Sequence, residues 1–438
     1  MRVIKRPRER RMGNIMIKAL RRWSTLSVVP DDLASVTDTA SGEVAEHTLG
    51  LRDGSVQALW QCFERLYTTG VQPGLQLCVR HRGEVVIDRA IGHARGNEPG
   101  TLGSALVPMT VNTPINLFSA AKAVTAMLVH RMVEQGALSL DDPVASHLPG
   151  FERHGKAAIT VRQILTHRAG LTRMPVLDDG DELGALHDDE KRRELVLSLR
   201  PQGRAGGLPA YHAITGGFVL AEMLRELTGQ DPRALLQKWI KGPLGAQWLD
   251  YGLPADRADQ IALNAATGWM PGPIAWQLSR VVGAPFAQAI AKSNDPRFQS
   301  AVIPSGNVVS TARDIARFYQ CLLNGGEFDG QRVFAERTVQ SAIRPDRQRA
   351  SLDRVIGIPI RYSAGFMLGH GGVGLYGLNR YSTFGHLGLS STLTWARPDT
   401  GSVVCLVTTG KPVLGPHIPE MLSMFSALNR FCENRLVR

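Results

Sequence analysis

Strand-forming runs lie near the two ends of this 438-residue chain, and a long helical block lies between them. Leu75–Arg80 and Glu84–Ala90 are short β-rich runs around His81-Arg82-Gly83, a hairpin pattern. Strand patterns return over residues 358–410, clearest at Ser391–Ala396 and Val403–Thr408. Residues 180–300 carry helical and loop patterns with almost no strand signal. Separated strands of this kind gain a common core by pairing into one sheet around an inserted helical unit. The predicted class is therefore α/β (α+β), an antiparallel sheet flanked by helices plus an inserted all-helical domain. The boundaries read as 54–115 and 300–438 for the sheet and 116–299 for the helical part, with 1–53 a basic extension and linker.

Helices are marked by spacing and stop signals. Val56, Leu59, Trp60, Phe63, Leu66 and Tyr67 follow the helical repeat up to Pro73-Gly74. A second helix runs from about Ser119 to Gln135, before Gly136. A short one follows Thr160 as its cap, and Thr215–Thr228 ends at Gly229. Thr311 and Asp314 fit a capping box ahead of Ile315, Phe318, Tyr319, Leu322 and Leu323. The final helix carries Met421, Leu422, Phe425, Leu428, Phe431 and Cys432.

The net charge of +11 is unevenly placed. Residues 1–22 hold nine basic residues against Glu9, a net of +8, so +3 remains for the other 416. A nearly balanced folded part argues against a nucleic-acid face. Met16, Ala19, Leu20, Trp23 and Leu26 recur at helical spacing among Lys18, Arg21 and Arg22. Residues 15–26 read as a disordered or surface-docked extension, with weak membrane-surface contact as the sharper alternative. No run of 18 apolar residues predicts a span, and the N-terminus lacks the apolar core of a secretory signal. Five widely spaced cysteines without C-x-x-C read as buried free thiols. These features together predict a cytoplasmic protein.

The chemistry centres on Ser119-Ala-Ala-Lys122. Residues three apart on a helix share a face, so the lysine amine can reach the serine oxygen. Among nine lysines only Lys122 has serine at i−3. Partial burial among Ala121, Ala123 and Val124 would lower its pKa and make it a base. G-x-S-x-G and H-E-x-x-H are both absent, so the nucleophile elbow has no place here and a metal hydrolase has little support. Tyr211, in Pro209-Ala210-Tyr211-His212-Ala213, becomes useful if the field of Lys122 lowers its pKa. Phe384-Gly385-His386-Leu387-Gly388-Leu389 reads as a glycine turn before a strand, with N–H groups for an oxyanion and His386 for substrate polar groups. Gly369-His370-Gly371-Gly372-Val373-Gly374 matches a dinucleotide fingerprint, but no helix pattern follows, so it reads as a glycine loop beside the site.

Taken in order, Ser119-Ala-Ala-Lys122, Tyr211-His212-Ala213 and His386-Leu387-Gly388 resemble the serine β-lactamase-like superfamily, above all its class C β-lactamase and family VIII carboxylesterase branches. Pro73-Gly74, Ile164–Leu171 and Pro304-Ser305-Gly306 agree with it. The resemblance covers about residues 54–435. It implies a β-lactamase/transpeptidase-like fold, Ser119 as nucleophile, and Lys122 with Tyr211 as coupled base and acid. It also implies an oxyanion hole from the N–H groups of Ser119 and Leu389, substrate contacts at His386, Gly388 and His212, and no metal or cofactor. Two departures matter: Ala213 stands where the lactamases carry Asn, and His386 where they carry Lys. Both favour an uncharged ester over an antibiotic or peptide. The reading is a carboxylesterase of short or medium acyl esters. The alternatives are a β-lactamase or D-amino-acid peptidase, an acyltransferase, and a non-catalytic scaffold. The oligomeric state stays open.

Overall fold

Alternation along Gly74–His81 decides how the core divides. Leu75, Leu77 and Val79 join one buried cluster, while Cys78 joins the other. A strand with both faces covered requires a helical layer on each side. The computed structural model describes residues 25–101, 104–175 and 181–433. The basic stretch ahead of Thr25, including most of 15–26, lies outside them.

The main sheet is antiparallel. In chain order its strands are β1 (Thr37–Thr39), β2 (Gly74–His81) and β3 (Glu84–Arg95). The short strands of its far flank of the sheet, Ser351–Leu352, Pro359–Tyr362 and Met367–Leu368, follow and are paired in that sequence. Phe384–Leu387, Leu393–Arg397 and Ser402–Thr408 complete it. The spatial order runs β1, β3, β2, then Ser402–Thr408, Leu393–Arg397, Phe384–Leu387 and the three flank strands. The two ends of the chain therefore meet at the centre, where Cys405 lies opposite Cys78. The thiols of Cys62, Cys78, Cys321 and Cys405 are buried and free.

One face carries α1 (Ser55–Thr68), which packs with the closing helix His417–Glu433 through Trp60, Phe63, Leu66, Met424 and Leu428. The other carries Ala312–Leu323, with Ile315, Phe318 and Tyr319 on the sheet. Thr311 caps that helix by accepting from the Asp314 N–H at 3.1 Å. The Asp314 carboxylate is spent elsewhere, on the Trp248 N–H at 2.8 Å.

The helical part includes α2 (Ala121–Glu134), α3 (Val161–Leu165) and α4 (Thr215–Thr228). Thr160 and Gln163 form a reciprocal capping box on α3. Gly229 ends α4 in the left-handed conformation. Ile115 and Ser310, on either side of the helical part, are direct strand partners, and Leu249 joins Ser310 from the other side.

Two expectations need correction. The described part of 1–53 is not simply a linker: β1 pairs with β3 at the sheet edge, and the Glu43 carboxylate pairs with the Arg89 guanidinium at 2.7 Å. The glycine-rich stretch at 369–374 enters a small hairpin, with Val373–Gly374 paired to Gly377–Leu378.

Candidate active site

Ser119 sits at a sharp turn. Phe118, just before it, has φ +48°, a left-handed conformation that costs a non-glycine residue about 1–3 kcal/mol. Neighbours hold the turn in place: Leu117 N–H donates to Val308 O at 2.8 Å and Phe118 N–H to Asn116 Oδ1 at 2.9 Å. Phe118–Ala120 form one 3-10 turn that runs straight into α2. Ser119 is half-buried, and its N–H lies in the turn where helical N–H groups lack intrahelical acceptors.

Lys122 lies one turn further on. Its Nζ donates to Ala213 O at 2.7 Å and Ser305 O at 3.0 Å, and lies 3.1 Å from Ser119 Oγ. Burial pushes its pKa well below the usual lysine value. A neutral amine has two hydrogens and one lone pair. In the deprotonated form the two carbonyls can take those hydrogens, which leaves the lone pair for the Ser119 hydroxyl. The Ser305 carbonyl is itself fixed, because Ser305 Oγ accepts from Gly217 N–H at 3.0 Å and Thr125 Oγ1 bonds Pro304 O at 2.6 Å.

Tyr211 completes the group. Its hydroxyl hydrogen-bonds Ser119, and its ring lies 4.8 Å from Lys122 Nζ. Burial drives the phenol pKa upward; the Ser119 bond opposes this and the Asp353 charge adds to it. The expectation that Lys122 would lower it is not met: burial dominates, and Lys122 is not among the charges that act on the phenol. Burial thus favours the protonated phenol.

Asp353 had no motif to announce it. Fully buried, it accepts from Tyr211 N–H at 3.2 Å, from Val355 and Ile356 N–H at 2.9 Å, and from Tyr362 Oη at 3.0 Å. It fixes the backbone that carries Tyr211. His167, at φ +58°, packs its ring 4.6 Å from Tyr211. Its pKa is held well below the ordinary value by burial, with His212, Lys122 and His386 adding to this.

The third motif is a strand, not a turn. Phe384–Leu387 pairs with Leu393–Arg397 over its whole length but with Met367–Leu368 only at Phe384 and Gly385. The outer edge at His386 is thus unpaired by that neighbour. His386 is 1% exposed, and its Nδ1–H donates to Leu387 O at 2.8 Å. Burial, with Lys122 nearby, brings its pKa down to about 3, so it is neutral. Gly388 N–H is committed to Thr392 O at 2.8 Å and is not available to a ligand. A Cβ there would stand 2.5 Å from Leu117 O, so only glycine allows the approach that brings Leu389 beside the Ser119 turn. His212 also departs from expectation. Wholly buried, it accepts from Leu171 N–H at 3.3 Å and borders a cavity of about 30 Å³ behind Lys122, room for about two waters. Lys411 is equally buried, 4.9 Å from the centre of the Phe118 ring, and burial lowers its pKa to about 7.

A beta-lactamase family model matches residues 61–423. The chain belongs to the beta-lactamase family. It is 30% identical over 389 residues to the esterase/beta-lactamase LipL of Mycobacterium tuberculosis, with 86% of each chain covered. A penicillin-binding protein homologue from Caulobacter crescentus superposes with TM-score 0.73 at 27% identity, over 87% of this chain and 98% of that one. A family VIII carboxylesterase superposes with TM-score 0.72 at 24% identity, over 87% and 99%. The fold is β-lactamase/transpeptidase-like, and the protein is a serine hydrolase of this superfamily.

Proposed function

We propose that this beta-lactamase-family protein is a carboxylesterase of short or medium uncharged acyl esters, working through an acyl-enzyme on Ser119. The observation that carries the reading is the third motif, which offers a neutral imidazole where a lysine would hold a substrate carboxylate. Burial also lowers the pKa of the amine beside Ser119. Ser119 Oγ attacks the ester carbonyl as its proton passes to Lys122 Nζ. The N–H groups of Ser119 and Leu389 receive the oxyanion, a contribution of about 10²–10³ in rate per donor. Tyr211 gives its proton to the departing alkoxide and recovers one from the Lys122 ammonium. Water then enters by the reverse proton path and releases the acid. The name of the LipL relative joins esterase and beta-lactamase, which supports testing both activities.

The test is turnover of p-nitrophenyl butyrate and labelling by a fluorophosphonate, wild type against Ser119→Ala. Turnover and labelling that Ser119→Ala abolishes support the reading. Absence of both from the wild type overturns it. Nitrocefin turnover at a rate equal to the ester would make the protein a β-lactamase instead.

A further inference from the structure

The loop that carries Leu389 is held by a buried polar clasp. Within the loop, Gly388 N–H donates to Thr392 O at 2.8 Å and Ser391 N–H to Leu389 O at 2.9 Å. Ser390, between Leu389 and Ser391, has φ +57°, a conformation that a non-glycine residue keeps only when its surroundings impose it. Leu389 N–H itself donates to no acceptor among the described residues, as an oxyanion donor requires. Two local bonds close this turn, but they do not set where it points.

Ser391 supplies the outside anchor. Its Oγ donates to Gly410 O at 3.1 Å, accepts from Gln72 Nε2 at 3.0 Å and lies 2.9 Å from Thr408 Oγ1. A hydroxyl has a single hydrogen, so Thr408 is the donor in the last pair. Gln72 Oε1 accepts in turn from Gly410 N–H at 2.9 Å. Gln72, Ser391 and Thr408 are at most 1% exposed, and each of their side-chain polar atoms has a partner, the condition under which a buried network is rigid. The platform beneath stands without the loop: Thr409 N–H donates to Gly74 O at 3.1 Å, and Gly74 N–H to Thr409 Oγ1 at 3.0 Å. The clasp also reaches the nucleophile turn, because Lys411 Nζ donates to Thr408 O at 2.5 Å and sits 4.9 Å from the centre of the Phe118 ring.

We propose that Gln72 and Ser391 are positioning residues for the oxyanion hole: through Gly410 and Thr408 they fix the Leu389 loop so that its free N–H is held beside Ser119. The inference rests on the Ser119 acyl-enzyme reading, not on the class of acyl substrate. Both side chains are buried and act through Leu389 rather than on the substrate. Apolar side chains of similar size would fill the same space without setting a direction, whereas hydrogen bonds weaken steeply when bent or stretched. An oxyanion donor works over a narrow range of distance, so a displacement of about 1 Å costs about 10² in rate.

The experiment compares the full-length wild type with Ser391→Ala, Gln72→Leu and the double variant. Two quantities are read: hydrolysis of p-nitrophenyl butyrate, and affinity for butaneboronic acid, which adds to a serine hydroxyl and places an oxygen in the hole. Each single variant should lower kcat about 10–10²-fold with KM little changed, and weaken boronate binding by a similar factor. The double variant should lose no more than the worse single one, because the two side chains act as a unit. A merely stabilising role would lower Tm and leave kcat and boronate affinity of the folded enzyme at wild-type values. That result overturns the proposal, as does a loss confined to KM. Gln72→Leu carries the test if Ser391→Ala does not fold. A wild type that binds the boronate without turning over the ester overturns the ester reading alone, and the boronate affinities then decide on the clasp. A wild type that binds no boronate overturns both.

Discussion

Lys122 Nζ lies 3.1 Å from Ser119 Oγ, and its two other hydrogen-bond partners are main-chain carbonyls rather than a carboxylate. Uncharged partners do not raise the pKa of an amine as a carboxylate would, so burial is left to lower it.

Lys122→Met should lower kcat/KM for p-nitrophenyl butyrate by about 10²–10⁴-fold, the usual worth of a general base. Lys122→Arg should not rescue it, because a guanidinium does not deprotonate. The same Lys122→Met change should raise Tm at neutral pH. The folded pKa of Lys122 is depressed. Below the ordinary lysine pKa the unfolded chain is protonated while the native amine resists protonation, so the native state is penalised as pH falls from that value to the folded one. Calorimetry at neutral pH and above the ordinary lysine pKa checks the sign: the gain should shrink at the higher pH.

Tyr211→Phe should reduce kcat about 10²–10³-fold with KM little changed, because the hydroxyl acts on the leaving group rather than on binding. The wild-type kcat should also hold level through mildly alkaline pH, since burial keeps the phenol protonated. A fall in kcat near pH 8 that Tyr211→Phe removes would contradict this assignment.

Asp353→Ala should destabilise the fold by about 2–4 kcal/mol in urea, because four donors lose a buried acceptor. Activity should fall as well, through the backbone of Tyr211. Asp353→Asn keeps the shape but turns one acceptor into a donor, so its loss should be smaller.

Gly388→Ala places a Cβ 2.5 Å from Leu117 O and forces the Leu389 loop away from Ser119. The expected result is about a 10²-fold loss in kcat/KM, the cost of a displaced oxyanion donor. Slow fluorophosphonate labelling should accompany it, with Lys122 and Tyr211 left in place.

Local signals carried much of this. Gly229 marked the end of Thr215–Thr228, and Thr160 the start of α3, because caps and stops depend on a few adjacent residues. Ser119 and Lys122 were legible for the same reason, since one helical turn joins them. The strand β1 was not: three residues show no periodicity, and only β3 makes them a strand. Asp353 was out of reach because its contact with Tyr211 spans 142 positions. His386, Gly388 and His212 were found in the right region, but their exposure and committed hydrogen bonds depend on what covers them.

The sequence by itself determined the class of fold, the pairing of distant strands around a helical part, and the serine and lysine on one helix face. Those follow from periodicity, caps and spacing, which are local. Only the tertiary structure decided charge and access. Burial from several elements lowers the pKa of Lys122, raises that of Tyr211 and leaves His386 uncharged. Desolvation depends on the whole surroundings of a group, and the chain brings those surroundings together only when it folds.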